Sequence, residues 1–145
     1  MASIPDFWTE ALEVIRAAPI AYLAIASGEQ PTVRAVTPAY DGVTAYVATE
    51  PLAFKIRAVQ RNPLVELIHH HADFRHVTLR ARATLVEDEA LKTAMWDQFP
   101  YDLAEFFSEG GSEYGLMAIQ PFRIELMSLG DYAASKPPRV WRPED

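Results

Sequence analysis

Hydrophobic and polar residues alternate most regularly between residues 75 and 86 of the chain. Apolar side chains occupy every second position there, at Val77, Leu79, Ala81, Ala83 and Leu85. Polar residues fill most of the positions between them. A period of two is typical of a strand with one buried face. The segment therefore predicts a long strand that contributes one face to the protein core.

Five more segments have the pattern of strands. They are apolar or alternating and are bounded by turn-forming residues, at residues 20–26, 32–40, 43–49, 64–69 and 114–129. Asp41-Gly42 separates the second and third of them and is a strong short-range signal of a hairpin. Pro121 predicts a bend in the last strand, because proline cannot donate a hydrogen bond within a sheet.

Apolar residues three and four positions apart predict three helices, at residues 3–18, 50–62 and 87–98. Ser3 is the predicted N-cap of the first helix, and residues 1–19 form an N-terminal helical region. The second helix passes through Leu52 and ends before Pro63, since the residue before a proline avoids the helical conformation. The third helix opens on the acidic run Glu87-Asp88-Glu89, which suits the positive end of the helix dipole.

The last part of the chain is predicted to be less regular. Residues 101–107 add a short helical piece before Gly110-Gly111, and residues 133–145, rich in proline and charge, are predicted to form an irregular tail. Strands outnumber helices and pair mainly as hairpins, which favours a largely antiparallel sheet. We therefore expect a mainly β (α+β) protein, with residues 1–145 in a single domain, a small barrel with peripheral helices.

The composition narrows the classes of function. The 145 residues carry a net charge of -7, which argues against a nucleic-acid partner, because nucleic-acid binding needs a basic face. The chain contains no cysteine, so disulfides and thiolate chemistry are excluded. No apolar run is long enough to cross a membrane, and the first residues lack the pattern of a signal peptide. We therefore expect a cytoplasmic protein without a membrane partner.

The stretch from Val33 to Pro63 collects the residue types that bind a phosphate. Arg34 lies on one predicted strand, Thr49 ends the next, and Lys55 follows in the early part of a helix. An arginine and a lysine near a helix N-terminus can together hold an anionic group. The sequence lacks the phosphate loops and nucleophile motifs of other catalytic sites. Any catalysis would therefore depend on a bound cofactor.

The four histidines, His69, His70, His71 and His76, raise the question of a metal site. Consecutive residues on a strand point to opposite faces, so the first three cannot all bind one ion without a turn. Asp73 indicates such a turn, but no cysteine or second carboxylate lies at ligand spacing. We predict no metal site and interpret the cluster as a polar hairpin connection.

A series of short motifs occurs in a fixed order along the chain. These motifs are Tyr22-Leu23-Ala24, Pro31 to Pro38, Tyr46 to Thr49, Lys55 with Asn62 to Leu67, Val77 to Asp88, and Trp96. Together they resemble the pyridoxamine 5'-phosphate oxidase-like family, the FMN-binding split β-barrel proteins, over residues 20–126. Among its subgroups the chain is most similar to the general stress proteins. The resemblance implies an antiparallel, six-stranded, Greek-key-like barrel.

The resemblance also implies a homodimer with FMN bound in two clefts at the subunit interface. The cofactor-binding residues that it implies are Arg34, Ala35, Val36, Thr37, Ala48, Thr49, Lys55, His76 and Trp141. Residues 34–37 would line the isoalloxazine ring and the ribityl chain, and Lys55 would meet the phosphate. His76 replaces a glutamine of the family pattern and would hydrogen-bond the flavin. Trp141 would cover the flavin or pack on the partner subunit.

Two positions depart from the family pattern. Where the oxidases have Ser-Arg-Lys, this chain has Ala53-Phe54-Lys55, so two phosphate-binding groups are missing. The loss of one charged hydrogen bond, worth about 1.5–3 kcal/mol, weakens binding about tenfold or more. We therefore do not expect a true pyridoxamine 5'-phosphate oxidase.

The main functional hypothesis from the sequence is a flavin-dependent oxidoreductase that uses FMN and acts on an unidentified small substrate. One alternative is a non-catalytic flavin-binding or stress-response protein. Another is a split-barrel relative that binds deazaflavin or heme in the same cleft. The sequence alone does not choose between enzyme and binding protein, because the cofactor would carry the chemistry in either case.

Overall fold

The computed structural model describes residues 3–51, 53–107 and 114–144. Within these ranges the chain forms eight strands. In chain order they are β1 Ala21–Ser27, β2 Gln30–Val36, β3 Ala39–Asp41, β4 Thr44–Thr49, β5 Leu64–His70, β6 His76–Leu85, β7 Gly115–Met127 and β8 Arg139–Trp141.

Four α-helices and one 3₁₀ turn complete the described structure. They are α1 Trp8–Ala17, α2 Phe54–Arg61, α3 Glu89–Met95, α4 Leu129–Ala133 and the 3₁₀ turn Leu103–Glu105. The first three helices occupy the predicted regions, but each is shorter than predicted. None of the helices in the described ranges is long and apolar enough to cross a membrane. The predicted positions Leu52, Gly110 and Gly111 lie outside the described residues.

All strand pairs are antiparallel, which confirms the predicted sheet type. The strand order is β2-β1-β5-β6-β7-β4-β3, and β8 pairs with β7. β2 and β3 stand at the two ends of this order, and no pairing among the described residues joins them, so the sheet is not closed. It has eight strands where six were expected. One extra strand arises from a break at Thr37-Pro38, and the other is β8.

The predicted alternation of β6 organises the core. Val77, Leu79 and Ala81 are fully buried on its inner face. α1 and α2 pack against this face, and Val14 and Val59 belong to the same buried cluster. Burying one such valine or leucine contributes about 1.5–3 kcal/mol relative to leaving it in water. The position of α2, which the functional site needs, is therefore fixed by the core.

The predicted hairpin turn after Asp41 and the predicted bend at Pro121 are both present, but their local geometry differs from the prediction. The hairpin joins Asp41 to Thr44, so its turn is Gly42-Val43, one residue later than predicted. Gly42 has a φ of 58°, which favours glycine at the first position of a two-residue hairpin loop. The bend predicted at Pro121 is a β-bulge: Arg80 and Ala81 face Arg123 and Pro121, and Phe122 has no partner.

The two ends of the chain correct the sequence prediction. α1 begins at Trp8, and the hydroxyl of Ser3 does not cap it but accepts a hydrogen bond from the indole of Trp141 at 3.0 Å. The segment 133–145, predicted to be irregular, contributes β8 to the sheet. Trp141 is buried, which explains why this stretch is ordered against the core despite its prolines and charges.

His69 corrects the interpretation of the histidines as a polar connection. Its ring is completely buried, its Nδ1 donates to the carbonyl of Ala18 at 2.7 Å, and its Nε2 lies 2.9 Å from the hydroxyl of Tyr40. Because a carbonyl oxygen only accepts, the proton of the neutral ring lies on Nδ1 and the tyrosine donates to Nε2. The turn predicted at Asp73 is present, since the amide of this residue donates to His71 Nδ1 at 2.9 Å.

Acid should destabilise the fold through His69. Burial lowers the pKa of this ring, and its hydrogen bond to the carbonyl of Ala18 opposes the shift only in part. The unfolded chain therefore binds the proton first, so stability is full above an unfolded-state pKa of about 6.5 and falls as the pH drops below it. We expect the loss of unfolding free energy between pH 7 and pH 5, measured by urea denaturation, to shrink in His69→Gln. A His71→Gln control should keep the full loss, and an equal loss in both variants would contradict the assignment.

Candidate functional site

One cavity brings together most of the predicted cofactor residues. It has a volume of about 540 Å³ and lies between the ends of β2 and β4, the start of α2 and the 3₁₀ turn. Its lining residues are Ala35, Val36, Thr37, Val47, Ala48, Thr49, Glu50, Lys55, Tyr101, Glu105, Phe106 and Phe107. Six of the nine sequence-predicted residues are among them: Ala35, Val36, Thr37, Ala48, Thr49 and Lys55.

Arg34 lies just outside this lining. β2 alternates, so its guanidinium shares a face with the buried Val36 and lies 5.2 Å from the ring centroid of Phe54 on α2. This distance is within the range of a cation–π contact. The guanidinium also donates to the carbonyl of Val33 at 3.1 Å. Phe54, which stands where the family pattern has an arginine, thus contacts the guanidinium of Arg34 through the face of its ring.

Lys55 carries the clearest electrostatic signal of the site. Burial lowers the pKa of its ammonium group, and the positive charge of Arg34 lowers it further. In residues 3–51, 53–107 and 114–144, neither side chain forms an ion pair with a carboxylate. Two cations with no carboxylate counterion favour the binding of an anion between them.

The backbone at the site adds hydrogen-bond donors and acceptors. α2 begins after Ala53, which makes no side-chain hydrogen bond to cap the helix. The amide of Ile56 already donates to the carbonyl of Ala53 at 3.1 Å, so the first-turn amides that could face an anion are those of Phe54 and Lys55. Among the described residues β2 pairs with β1 alone and is an edge strand, so alternate backbone groups of residues 35–37 remain open on its outer side.

Four lining residues on the far side of the cavity were not predicted from the sequence. Tyr101, Glu105, Phe106 and Phe107 come from the segment around the 3₁₀ turn. The signal in the sequence was the high density of aromatic residues between Phe99 and Phe107, which we interpreted only as a short helical piece. The structure places this segment in the lining of the cavity, to which it contributes three aromatic side chains and the carboxylate of Glu105.

Two predicted residues lie away from the cavity. His76 begins β6, and its ring packs near His70 and Phe74, with ring centroids 6.0 and 5.7 Å away. Trp141 is buried against its own core, so it offers no face to a ligand in the cavity. In the described part of the chain, no group of three or more histidine, aspartate or glutamate side chains is placed to hold a metal ion.

A larger groove of about 1010 Å³ runs between the N-terminal segment and β8. Both arginines of its lining are paired with carboxylates: Arg75 with Glu13 at 3.2 Å, and Arg139 with Glu10 at 3.0 Å. Compensated charges of this kind fix one segment to another and give little attraction for a ligand. The smaller cavity with uncompensated cations is therefore the better candidate site.

Comparison with known proteins agrees with the geometry. A sequence model of the pyridoxamine 5'-phosphate oxidase family matches residues 7–128. The chain belongs to this family. A search of curated protein sequences gave no match.

Solved structures show that the fold is the split barrel of the pyridoxamine 5'-phosphate oxidase-like proteins. General stress protein 26 from Bacillus anthracis is 20% identical, with a TM-score of 0.74 over 92% of this chain and 96% of that one. An FMN-binding, pyridoxamine 5'-phosphate oxidase-related protein from Nostoc punctiforme is 12% identical, with a TM-score of 0.74 over 97% and 98%. A heme-binding protein from Mycobacterium smegmatis is 16% identical, with a TM-score of 0.76 over 98% of this chain and 60% of that one.

Gly115 sets how closely β7 approaches the wall of the cavity. A Cβ on this residue would lie 2.6 Å from Ile56 Cδ1, 3.0 Å from the carbonyl oxygen of Thr49 and 3.2 Å from Pro51 Cα. Two of these atoms belong to the backbone, so Gly115→Ala should lower the unfolding free energy by ~1–3 kcal/mol through overpacking. Gly130→Ala is the matched control, because its nearest neighbour is 3.8 Å away. Thermal unfolding would measure both, and equal melting temperatures would show that the contact is not tight.

Proposed function

We propose that this protein binds FMN in the 540 Å³ cavity and uses it as a flavin-dependent oxidoreductase acting on a small substrate. The observation that carries the proposal is Lys55, a lining cation that forms no ion pair with a carboxylate in the described residues and that has the cation of Arg34 close beside it. A flavin mononucleotide has the matching chemistry, with an anionic phosphate at one end and a planar aromatic ring at the other.

The residues of the cavity fit the parts of this cofactor. Lys55, assisted by Arg34 and the first amides of α2, would hold the phosphate. The open backbone edge of residues 35–37 would hydrogen-bond the polar edge of the ring, and Ala48 and Thr49 would border it from β4. Bound FMN would supply hydride or electron transfer. The protein's own part is to orient the ring and exclude water from one face.

We also propose that a second copy of the chain completes the cleft. The outer face of the sheet exposes apolar residues, with Tyr22 50%, Val33 59%, Leu64 47% and Phe122 43% exposed. Ala35 shares this face with Val33 and also lines the cavity, so the apolar surface continues to the mouth of the site. An exposed apolar face that borders a ligand cavity is typical of an interface between subunits. His76 lies on the same outer face, so it would approach the flavin only across such an interface.

The heme alternative finds no support in the cavity. A heme iron needs an axial ligand, most often a histidine. None of the four histidines is among the residues that line the cavity, and His69 has both ring nitrogens engaged in hydrogen bonds.

The choice between an enzyme and a non-catalytic flavin-binding protein rests on whether the bound flavin exchanges electrons with a small substrate.

The purified protein should be yellow, with a flavin absorbance band and about one FMN per chain. Lys55→Ala and Arg34→Ala should each weaken FMN about tenfold or more, since a charged hydrogen bond is worth about 1.5–3 kcal/mol. Arg61→Ala removes an exposed cation from the last turn of the same helix and should leave affinity unchanged. Fluorescence titration with FMN measures all four proteins.

Three results would contradict this proposal. A colourless protein that takes up no added FMN would refute the cofactor, and a Soret band would favour heme. FMN affinity that stays the same in both Lys55→Ala and Arg34→Ala would refute the location of the site. If FMN binds but neither nicotinamide cofactors nor other donors reduce it, the non-catalytic alternative is favoured.

Charge on the outer face should break the proposed dimer. Val33→Glu places a carboxylate in the apolar surface, so we expect a monomer by sedimentation equilibrium and weaker FMN binding. Leu129→Glu is the matched control, because Leu129 is similarly exposed on α4 and does not line the cavity. A wild-type protein that binds FMN as a monomer would refute the two-subunit cleft.

A further inference from the structure

The segment from residue 99 to residue 107 is held rigidly beside the cavity. Leu103 is buried in a second apolar cluster, and Asp102 Oδ1 accepts a hydrogen bond from the amide of Ala104 at 3.0 Å. The amides of Phe106 and Phe107 both donate to the carbonyl of Leu103, at 3.0 and 2.9 Å. One buried leucine and one capping aspartate therefore fix the direction of the residues that follow.

These contacts place three aromatic side chains in one wall of the cavity. The rings of Tyr101 and Phe106 meet edge to face with centroids 5.6 Å apart, and Phe107 packs against Tyr114 at 5.9 Å. Phe106 remains 63% exposed although it is a large apolar side chain. It adds little to the core, so its position at the cavity is better explained by contact with a ligand.

Tyr101 adds one polar group to this wall. Partial burial raises the pKa of its hydroxyl, so the group stays protonated at neutral pH. No residue in the described ranges forms a hydrogen bond with this hydroxyl. It is therefore available as a donor to an acceptor atom on a ligand.

The lining of the cavity carries more carboxylates than cations. Among the lining residues, Lys55 is the one cation, whereas Glu50 and Glu105 are carboxylates. A first anionic group, such as the FMN phosphate, would engage Lys55 together with Arg34. A second anion beside the aromatic residues would then meet the carboxylate of Glu105 and no remaining lining cation, which is unfavourable.

We propose that Tyr101, Phe106 and Phe107 form the binding wall for the second ligand of the FMN-loaded protein. The wall takes a planar aromatic compound that carries a hydrogen-bond acceptor, such as a quinone carbonyl, and no anionic group. The proposal rests on FMN occupying the Lys55 side of the same cavity. It excludes phosphorylated substrates of the pyridoxamine phosphate type, because no cation remains among the lining residues once the FMN phosphate engages Lys55.

The test compares an uncharged naphthoquinone with a sulfonate of the same ring, using equilibrium dialysis against the FMN-loaded protein. We expect the uncharged compound to bind severalfold more tightly at low salt, because the carboxylate of Glu105 beside the aromatic wall repels the sulfonate. Glu105→Gln should raise the affinity for the sulfonate. Phe106→Ser should weaken the quinone about tenfold through lost aromatic contact while leaving bound FMN in place.

A matched control separates ligand contact from general surface changes. Tyr132→Ser removes an aromatic side chain that is 65% exposed and does not line the cavity, so quinone affinity should not change. Equal binding of the quinone and its sulfonate to the FMN-loaded protein would overturn the proposal while leaving the FMN site intact. Unchanged quinone affinity in Phe106→Ser would do the same. A protein that takes up no FMN would overturn both proposals.

Discussion

The repulsion between Arg34 and Lys55 is the constraint on which the site depends. Two cations remain close only if stronger forces hold the elements that carry them. β2 is held by its ladder with β1, and α2 is held by Ile56 and Val59, which are buried in the core. The core thus compensates an unfavourable charge pair at the edge of the sheet. A bound anion would remove this cost, so ligand binding and stability should be linked.

Phe54 changes the meaning of the departure from the family pattern. From the sequence, Ala53 and Phe54 read only as a loss of phosphate contacts. In the structure the ring of Phe54 supports the guanidinium of Arg34, which otherwise extends from an exposed edge strand. A cation–π contact at an exposed site contributes about 0.5–1 kcal/mol. Its larger effect is to restrict where the charge lies, which lowers the entropic cost of binding an anion there.

Features that depend on neighbouring residues were predicted from the sequence, whereas features that depend on contacts between distant residues were not. The alternation of β6, the hairpin after Asp41 and the bend at Pro121 all follow from neighbouring residues and were found. β8 depends on the burial of Trp141 against residues far away in the chain, and no local pattern reports that. His69 likewise bonds to Ala18 and Tyr40, so its neighbours His70 and His71 gave a misleading context.

The same distinction applies to the candidate site. Ala35 to Thr37, Ala48, Thr49 and Lys55 came from a family pattern and lie together around one cavity. The aromatic wall was missed because its side chains face the cavity only after Leu103 is buried. His76 was assigned by position in the pattern, but strand alternation opposite to Val77 places it on the outer face.

The cavity, and not the fold, is what discriminates between cofactors in this family. Structures of the same fold include a protein described as FMN-binding and one described as heme-binding, with TM-scores of 0.74 and 0.76 to this chain. Because both proteins share the fold of this chain, the fold alone does not indicate which cofactor the chain binds. Heme requires an axial ligand and room for two propionates, whereas a flavin nucleotide requires one anion site beside a polar edge and a flat apolar wall. The described lining of this cavity contains Lys55, residues 35–37 of the sheet edge and the rings of Tyr101, Phe106 and Phe107, and it contains no histidine. In the proposed complex with FMN, Lys55 at the start of α2 would attract the phosphate, and the carboxylate of Glu105 beside the aromatic residues would repel it.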